Sequence, residues 1–216
     1  AQYNRFEKWA LRFINDPRDL PFIYLLVAIS VTLLPGAIAL FVAFSWWLAI
    51  GYWTVLLLVF LPRFILMLHN TSHRQLFKRK HRRLNLLIPW AFGPLFGESP
   101  ETYYAHHIGM HHPENNLKDD LSSTMRYQRD SFLAFGHYFV KFYFLGLFEL
   151  SAYHHKRGRK KLFWRAVTGE SAFYLLATAL LFVDWRASLA VFFIPITMTR
   201  FLMMAGNWGQ HAFIVA

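Results

Sequence analysis

The sequence predicts an all-α, polytopic membrane protein with about four transmembrane helices in two hairpins, joined by helices lying at the membrane interface. Three observations carry this prediction. Hydrophobic residues make up 56% of the 216 and aromatics 19%, high for a soluble domain and ordinary for a helical membrane protein. The apolar runs are long: between Pro21 and Leu68 only Arg63 is charged. Charge is sparse at 16% yet lopsided, with a formal net charge of +11. Its basic residues gather in short segments, as the positive-inside rule expects of cytoplasmic loops. Nucleic-acid binding is the other reading of a strongly basic chain, and the long apolar runs disfavour it.

The first membrane helix is expected near 21–43, kinked late by Pro35-Gly36, and the second near 47–69. The Ser45-Trp46-Trp47 stretch between them suits an interfacial turn. "RQLFKRKHRR" (74–83) is a basic loop. The apolar segment 84–96 is broken by two prolines and a glycine, too short to span, and reads as interfacial. Residues 98–130 are polar, and 131–150 are aromatic-rich and again interfacial. A second basic run, "HHKRGRKK" (154–161), follows; its His154 and His155 read as surface charge. Apolar stretches near 166–183 and 187–205 close the chain as a hairpin around Asp184-Trp185-Arg186. Four crossings then put the basic segments on one side, expected to be cytoplasmic.

Eleven histidines and no cysteine set the chemistry. Thiolate metal sites, disulfides and cysteine nucleophiles are excluded. Four histidines fall within seven positions in "HHIGMHH" (106–112). His69 and His73 are four apart at the end of the second helix, a spacing that gives about 6 Å of rise and nearly one azimuth. His107 and His111 repeat it, with His112 one position on and free to face a second ion. Asn207 and His211 repeat it again at the end of the last helix. All three groups fall on the expected cytoplasmic side. His81 and His137 stand alone and read as interfacial side chains.

The candidate metal ligands are therefore His69, His73, His107, His111, His112 and His211. Six imidazoles exceed the three or four that one zinc takes, so two ions are expected. Imidazole suits iron, copper and zinc alike. A site beside the acyl region, positioned to attack unactivated C–H bonds, calls for a redox metal and dioxygen. Ligating imidazoles usually give their other N–H to a carboxylate. Glu114, Asp119, Asp120 and Glu149 lie on the right side for that, with Asp119 and Asp120 first. The two aspartates suit equally well a cap on a helix beginning in "LSSTMRYQRD".

"HNTSH" (69–73), "HHIGMHH" (106–112) and "NWGQH" (207–211), in that order, resemble the integral-membrane fatty acid desaturase superfamily, which also includes hydroxylases. The motif order there is H-x(3–4)-H, H-x(2–3)-HH and a final (H/Q)-x-x-HH. The resemblance implies four membrane helices, a cytoplasmic all-histidine di-iron centre of two iron ions, dioxygen as co-substrate, and a fatty acyl chain or other long lipid as substrate. It implies an external electron donor, of cytochrome b5 or ferredoxin type, since no cofactor motif is present. Asn207 with His211 looks like the N-x-x-x-H element of related alkane hydroxylases and some desaturases. His106 falls outside the matched pattern, and with Asn207 is assigned a place behind the ligands.

The chain departs from the pattern at one point. The family's final histidine box is expected some tens of residues past the last helix, and none occurs before Ala216. Residues 1–216 are thus expected to form a single desaturase-like membrane domain, truncated at its C-terminus. The alternative reading is an inactive, desaturase-like structural subunit among other membrane subunits.

Overall fold

The computed structural model describes residues 2–213. It is helical, and among the described residues no strand forms beyond one isolated antiparallel bridge between Ile14 and Phe77. The helices are α1 (Arg5–Ala10), α2 (Pro17–Val42), α3 (Trp46–His73), α4 (residues 102–114), α5 (Phe132–Lys156), α6 (Lys160–Leu181) and α7 (Trp185–His211).

Three of these, α2, α3 and α7, are long and apolar enough to cross a membrane, at mean hydropathies of 2.5, 1.9 and 1.7. Only 33%, 33% and 39% of their most apolar windows is buried inside the protein. The remainder includes Val31, Ile38, Val42 and Leu58, all exposed, a distribution that suits hydrocarbon and not water. The protein is an integral membrane protein. The expected fourth crossing is helical, but Lys160, Lys161, Arg165 and Glu170 occupy its first half, so α6 is not among the three. Its buried Glu170 is neutralised in place: Oε1 accepts from Arg200 Nη2 at 2.5 Å and Oε2 from Ser99 Oγ at 2.5 Å. Ionisable groups inside an apolar helix are tolerated when paired in this way.

The helices run longer than the apolar stretches alone indicate. α3 continues through His73 and α7 through His211, so His69/His73 and Asn207/His211 both lie on helical backbone. The break in α2 lies at Thr32 (φ −122°, ψ −70°), not at Pro35-Gly36. Proline clashes with the carbonyl four residues earlier, so the distortion appears one turn upstream. Ser45 is the extended N-cap of α3 and Trp46 and Trp47 open it, the latter 83% exposed, as befits an interfacial anchor. No helix begins in 121–130; α5 starts at Phe132, capped by Ser131 Oγ on Ala134 N–H at 3.2 Å.

Among the described residues four segments take π geometry, Val55–Phe60, Ile88–Phe92, His107–His111 and Leu189–Phe193. Each ends two residues before a proline, respectively Pro62, Pro94, Pro113 and Pro195.

The chain divides into two compact units. One comprises residues 1–96 and 177–195, the other 97–176 and 196–216. In the first, Phe64 stacks on Phe96 at 4.0 Å between centroids. Tyr52 OH donates to the Leu95 carbonyl at 3.3 Å and the Trp53 indole to Ala190 at 2.8 Å. Segment 84–96 thus coils through 3-10 and π turns with Ile88, Leu95 and Phe96 buried. The end of α3 is tied down by Arg74, whose guanidinium meets Asp16 at 2.5 Å and Asp19 at 2.9 Å.

In the second unit, α5 and α6 enclose α4. Ala105, Met110, Leu150, Tyr153 and Ala166 form one buried cluster there, and Tyr138, Met204, Trp208 and Ala212 another. Gly169 of α6 meets the backbone of Pro100, and a Cβ built there would overlap the Pro100 carbonyl oxygen. Backbone yields less readily than a side chain, so Gly169→Ala is expected to destabilise the protein by about 1–3 kcal/mol, the usual cost of overpacking. Thermal unfolding in detergent measures it; an unchanged midpoint would contradict this packing.

Candidate metal centre

In the first unit, His69 and His73 occupy the last turns of α3. Their ring centroids are 4.9 Å apart, and a ring nitrogen of each lies within 4.8 Å of the other. The i, i+4 spacing read from the sequence produces that pair directly.

In the second unit, the histidine-rich segment lies on α4, and its backbone departs from the α-helix expected. The His112 N–H bonds to the His107 carbonyl, a five-residue step. In an α-helix the residue at i+5 sits about 140° around the axis from residue i; a π turn closes on i+5 instead. His112 therefore stands over His107, with Nε2 to Nε2 at 3.0 Å. The sequence reading turned His112 toward a separate ion; the wider turn sets it against His107. His111 lies 5.9 Å from His107 and 6.0 Å from His112 between centroids, and His211 of α7 comes in from the side at 5.2 Å from His111. His107, His111, His112 and His211 are thus brought together within this unit.

Asp120 holds His111. Asn115 and Asn116 both adopt left-handed backbone (φ 48° and 59°), which asparagine tolerates better than most residues. This double turn reverses the chain after α4 and brings Asp120 back under the segment. Its Oδ2 accepts from His111 Nδ1 at 2.7 Å and from Asn116 N–H at 2.9 Å. Its Oδ1 accepts from Ser122 N–H at 2.8 Å and Ser122 Oγ at 2.7 Å. Burial alone raises the Asp120 carboxyl, but the bonds from His111 and Ser122 outweigh it and hold the group at about 2. An ionised Asp120 keeps the proton of His111 on Nδ1, which leaves the Nε2 lone pair available to a metal.

The other residues singled out from the sequence fall as follows. Asp119 is on the surface with Arg157 at 3.2 Å; the adjacent aspartate, not this one, meets a histidine, because the turn at 115–116 aims only Asp120 inward. Glu114 pairs with Arg157 at 3.0 Å and Glu149 with Lys141 at 3.1 Å. Asn207 donates to Tyr138 OH at 2.7 Å and to the Ser122 carbonyl at 3.1 Å, joining α7 to the loop that carries Asp120. His106 stacks near His111 (6.2 Å) and edge-on to Phe142 (5.6 Å). Burial pushes it down to about 4, so the ring is neutral, and its buried Nε2 has no hydrogen-bond partner.

His154 departs from its sequence reading. Instead of a surface charge it is fully buried, with Nε2 donating to the Ala105 carbonyl at 3.0 Å, and burial lowers its proton affinity. His155 is exposed. Ser122 and Tyr138 are further residues that sequence reasoning passed over. Ser122 stands beside the DD pair in "KDDLSST", a usable signal, while Tyr138 is one aromatic among many.

The donor set fits a metal such as iron. Two imidazoles bound side by side to one ion at metal–nitrogen distances of about 2.1 Å would have nitrogens about 3.0 Å apart, the separation of His107 and His112. The supporting carboxylate on His111 has the form expected behind a metal ligand.

Three helices apolar enough to cross a membrane, together with a gathered set of imidazoles, define a class, the histidine-rich polytopic membrane proteins. A model of the fatty acid desaturase family matches residues 45–215, and the chain belongs to that family. Membership carries a fatty acid desaturase-like function in general, and the family is one of oxidoreductases known to use di-iron. No curated protein and no solved structure matches the chain.

Asp120→Asn is expected to cost about 1.5–3 kcal/mol, the scale of a hydrogen bond to a charged group. The carboxyl is depressed in the folded protein, so its contribution is complete above the unfolded value of 3.8 and fades as pH falls through about 2. Unfolding followed against pH measures both; equal acid sensitivity of the wild type and Asp120→Asn would contradict the assignment.

Proposed function

We propose that this chain, as one membrane domain over 1–216, is an oxygen-dependent di-iron oxidoreductase that desaturates a fatty acyl chain or other long lipid. Its ligands are His69, His73, His107, His111, His112 and His211. The observation that carries the reading is the gathering of His107, His111, His112 and His211, with Asp120 fixing the tautomer of His111. Six imidazoles exceed the needs of one ion, and family membership favours iron over zinc.

Two iron ions with dioxygen supply the oxidising power for an unactivated C–H bond, which zinc lacks. The chain's own residues prepare the place. Asp120 keeps the His111 proton at Nδ1, and Asn207 with Tyr138 holds the loop that presents Asp120. His106, neutral and half-buried, sits edge-on to Phe142 beside the cluster. The long substrate enters from the bilayer, where the exposed apolar faces of the membrane helices meet it. Electrons come from an acidic carrier of cytochrome b5 or ferredoxin type. The exposed Arg79, Lys80, Arg82 and Arg83, and likewise Lys156, Arg157, Lys160 and Lys161, favour its approach through charge complementarity.

Protein purified from iron-supplied cells should contain two iron ions per chain. His111→Ala is expected to lower iron content and to abolish oxygen-dependent conversion of fed lipids. Mass spectrometry of the product separates desaturation, which removes two hydrogens, from hydroxylation, which adds one oxygen. Folded wild-type protein devoid of iron would sink the reading in favour of an inactive structural subunit.

A further inference from the structure

The π turn at His107–His111 needs a cause, because a π segment is rarer and less well bonded than an α-helix. Pro113 is the first part of it. A proline has no N–H, so Gly109 loses the i+4 donor that its carbonyl would receive in an α-helix. A buried carbonyl without a donor costs about 1–3 kcal/mol. The missing donor comes from elsewhere in the chain: Arg159 Nη1 reaches the Gly109 carbonyl at 2.6 Å. Four residues earlier, buried His154 gives its Nε2 proton to the Ala105 carbonyl at 3.0 Å. Between these two bonds the backbone lies close against its support. A Cβ on Gly109 would sit 3.0 Å from Leu162 Cδ1 and 3.1 Å from His154 Cε1, so only glycine fits without displacement.

A related arrangement occurs away from the histidines, with the bonded carbonyl five residues before the proline instead of four. The π segment at Leu189–Phe193 also precedes a proline, Pro195, and one of its carbonyls, Ala190, takes the indole N–H of Trp53 at 2.8 Å. A proline plus a side-chain donor on a carbonyl is therefore a repeated device for widening a helix in this protein.

We propose that Arg159 and His154 are positioning residues that hold 107–111 in its π turn, against the α-helix the same residues would otherwise form, and thereby bring His112 onto His107. In an α register His112 would swing about 140° away from His107, and the 3.0 Å approach of their nitrogens would be lost. The consequence for metal binding rests on the di-iron reading; the register itself does not.

Two readouts keep these apart. The first is the N–H···N hydrogen bond between His107 and His112, followed by nitrogen–nitrogen coupling in metal-free protein carrying ¹⁵N-labelled histidine. The coupling is expected in the wild type, lost in Pro113→Ala and Arg159→Met, and recovered in Arg159→Lys, which restores a donor. Pro113→Ala returns a backbone N–H to the helix, so its helicity and melting temperature should hold or rise while the coupling disappears. A residue with a purely structural role would not produce that opposition. Should Arg159→Met fail to fold, Pro113→Ala decides alone. Coupling that persists in Pro113→Ala overturns the proposal.

The second readout is titration with Co²⁺, where Pro113→Ala should bind about tenfold more weakly than the wild type, the scale for loss of support behind ligands. Wild-type protein that gives the coupling but takes up no Co²⁺ would count against the di-iron reading while upholding the register.

Discussion

Backbone removed from water has to find a partner for every N–H and C=O within the protein, and prolines at 62, 113 and 195 each withdraw a donor from the middle of a helix. Much of the architecture answers that constraint. The apolar helices satisfy themselves along their length. At these three prolines the turn just before opens to π geometry. At two of the three places a side chain from a distant part of the chain supplies a hydrogen bond to a carbonyl, Trp53 at Ala190 and Arg159 at Gly109. A defect in regular bonding thus becomes a fixed feature, and at 107–111 it falls on the histidine cluster.

Buried charge obeys the same rule of compensation. Asp120 is fully buried and accepts from His111, Asn116 and Ser122. Glu170, buried at the end of the charged half of α6, is met by Arg200 and Ser99. Neither carboxylate is left to bear the several kcal/mol that an isolated buried ion costs. The two differ in what they accomplish. Glu170 joins elements within its unit, whereas Asp120 also fixes which nitrogen of His111 holds the proton. That makes a bond of 2.7 Å a statement about chemistry as well as stability. Burial lowers the proton affinity of two further imidazoles near the cluster, the half-buried His106 and the fully buried His154.

Membership of the fatty acid desaturase family explains why an integral membrane protein spends so much imidazole in one place. The helices α2, α3 and α7 leave most of their apolar surface outward, a surface that suits hydrocarbon. The basic segments around 79–83 and 156–161 sit on exposed backbone, suited to an acidic partner or to anionic headgroups.

The membrane helices were legible in the sequence because apolar runs of sufficient length have few alternatives. So were the pairs His69/His73 and His107/His111, which need only the local repeat of a helix. Family membership was legible in the order of the histidine motifs. The charged first half of α6 was visible too, although its consequence for the count of crossings was not drawn. Other features depended on groups remote along the chain. The π register needs Arg159 and His154, 50 and 49 positions from the carbonyls they hold, even though Pro113 stood in plain view as a hint. The choice of Asp120 over Asp119 was made by two left-handed asparagines, and the burial of His154 by α4 packing over it. Composition and short-range periodicity fix what one helix does alone. Which donor reaches which orphaned acceptor is decided only when separate helices meet, because a hydrogen bond works over about 3 Å and carries no trace of itself in local sequence.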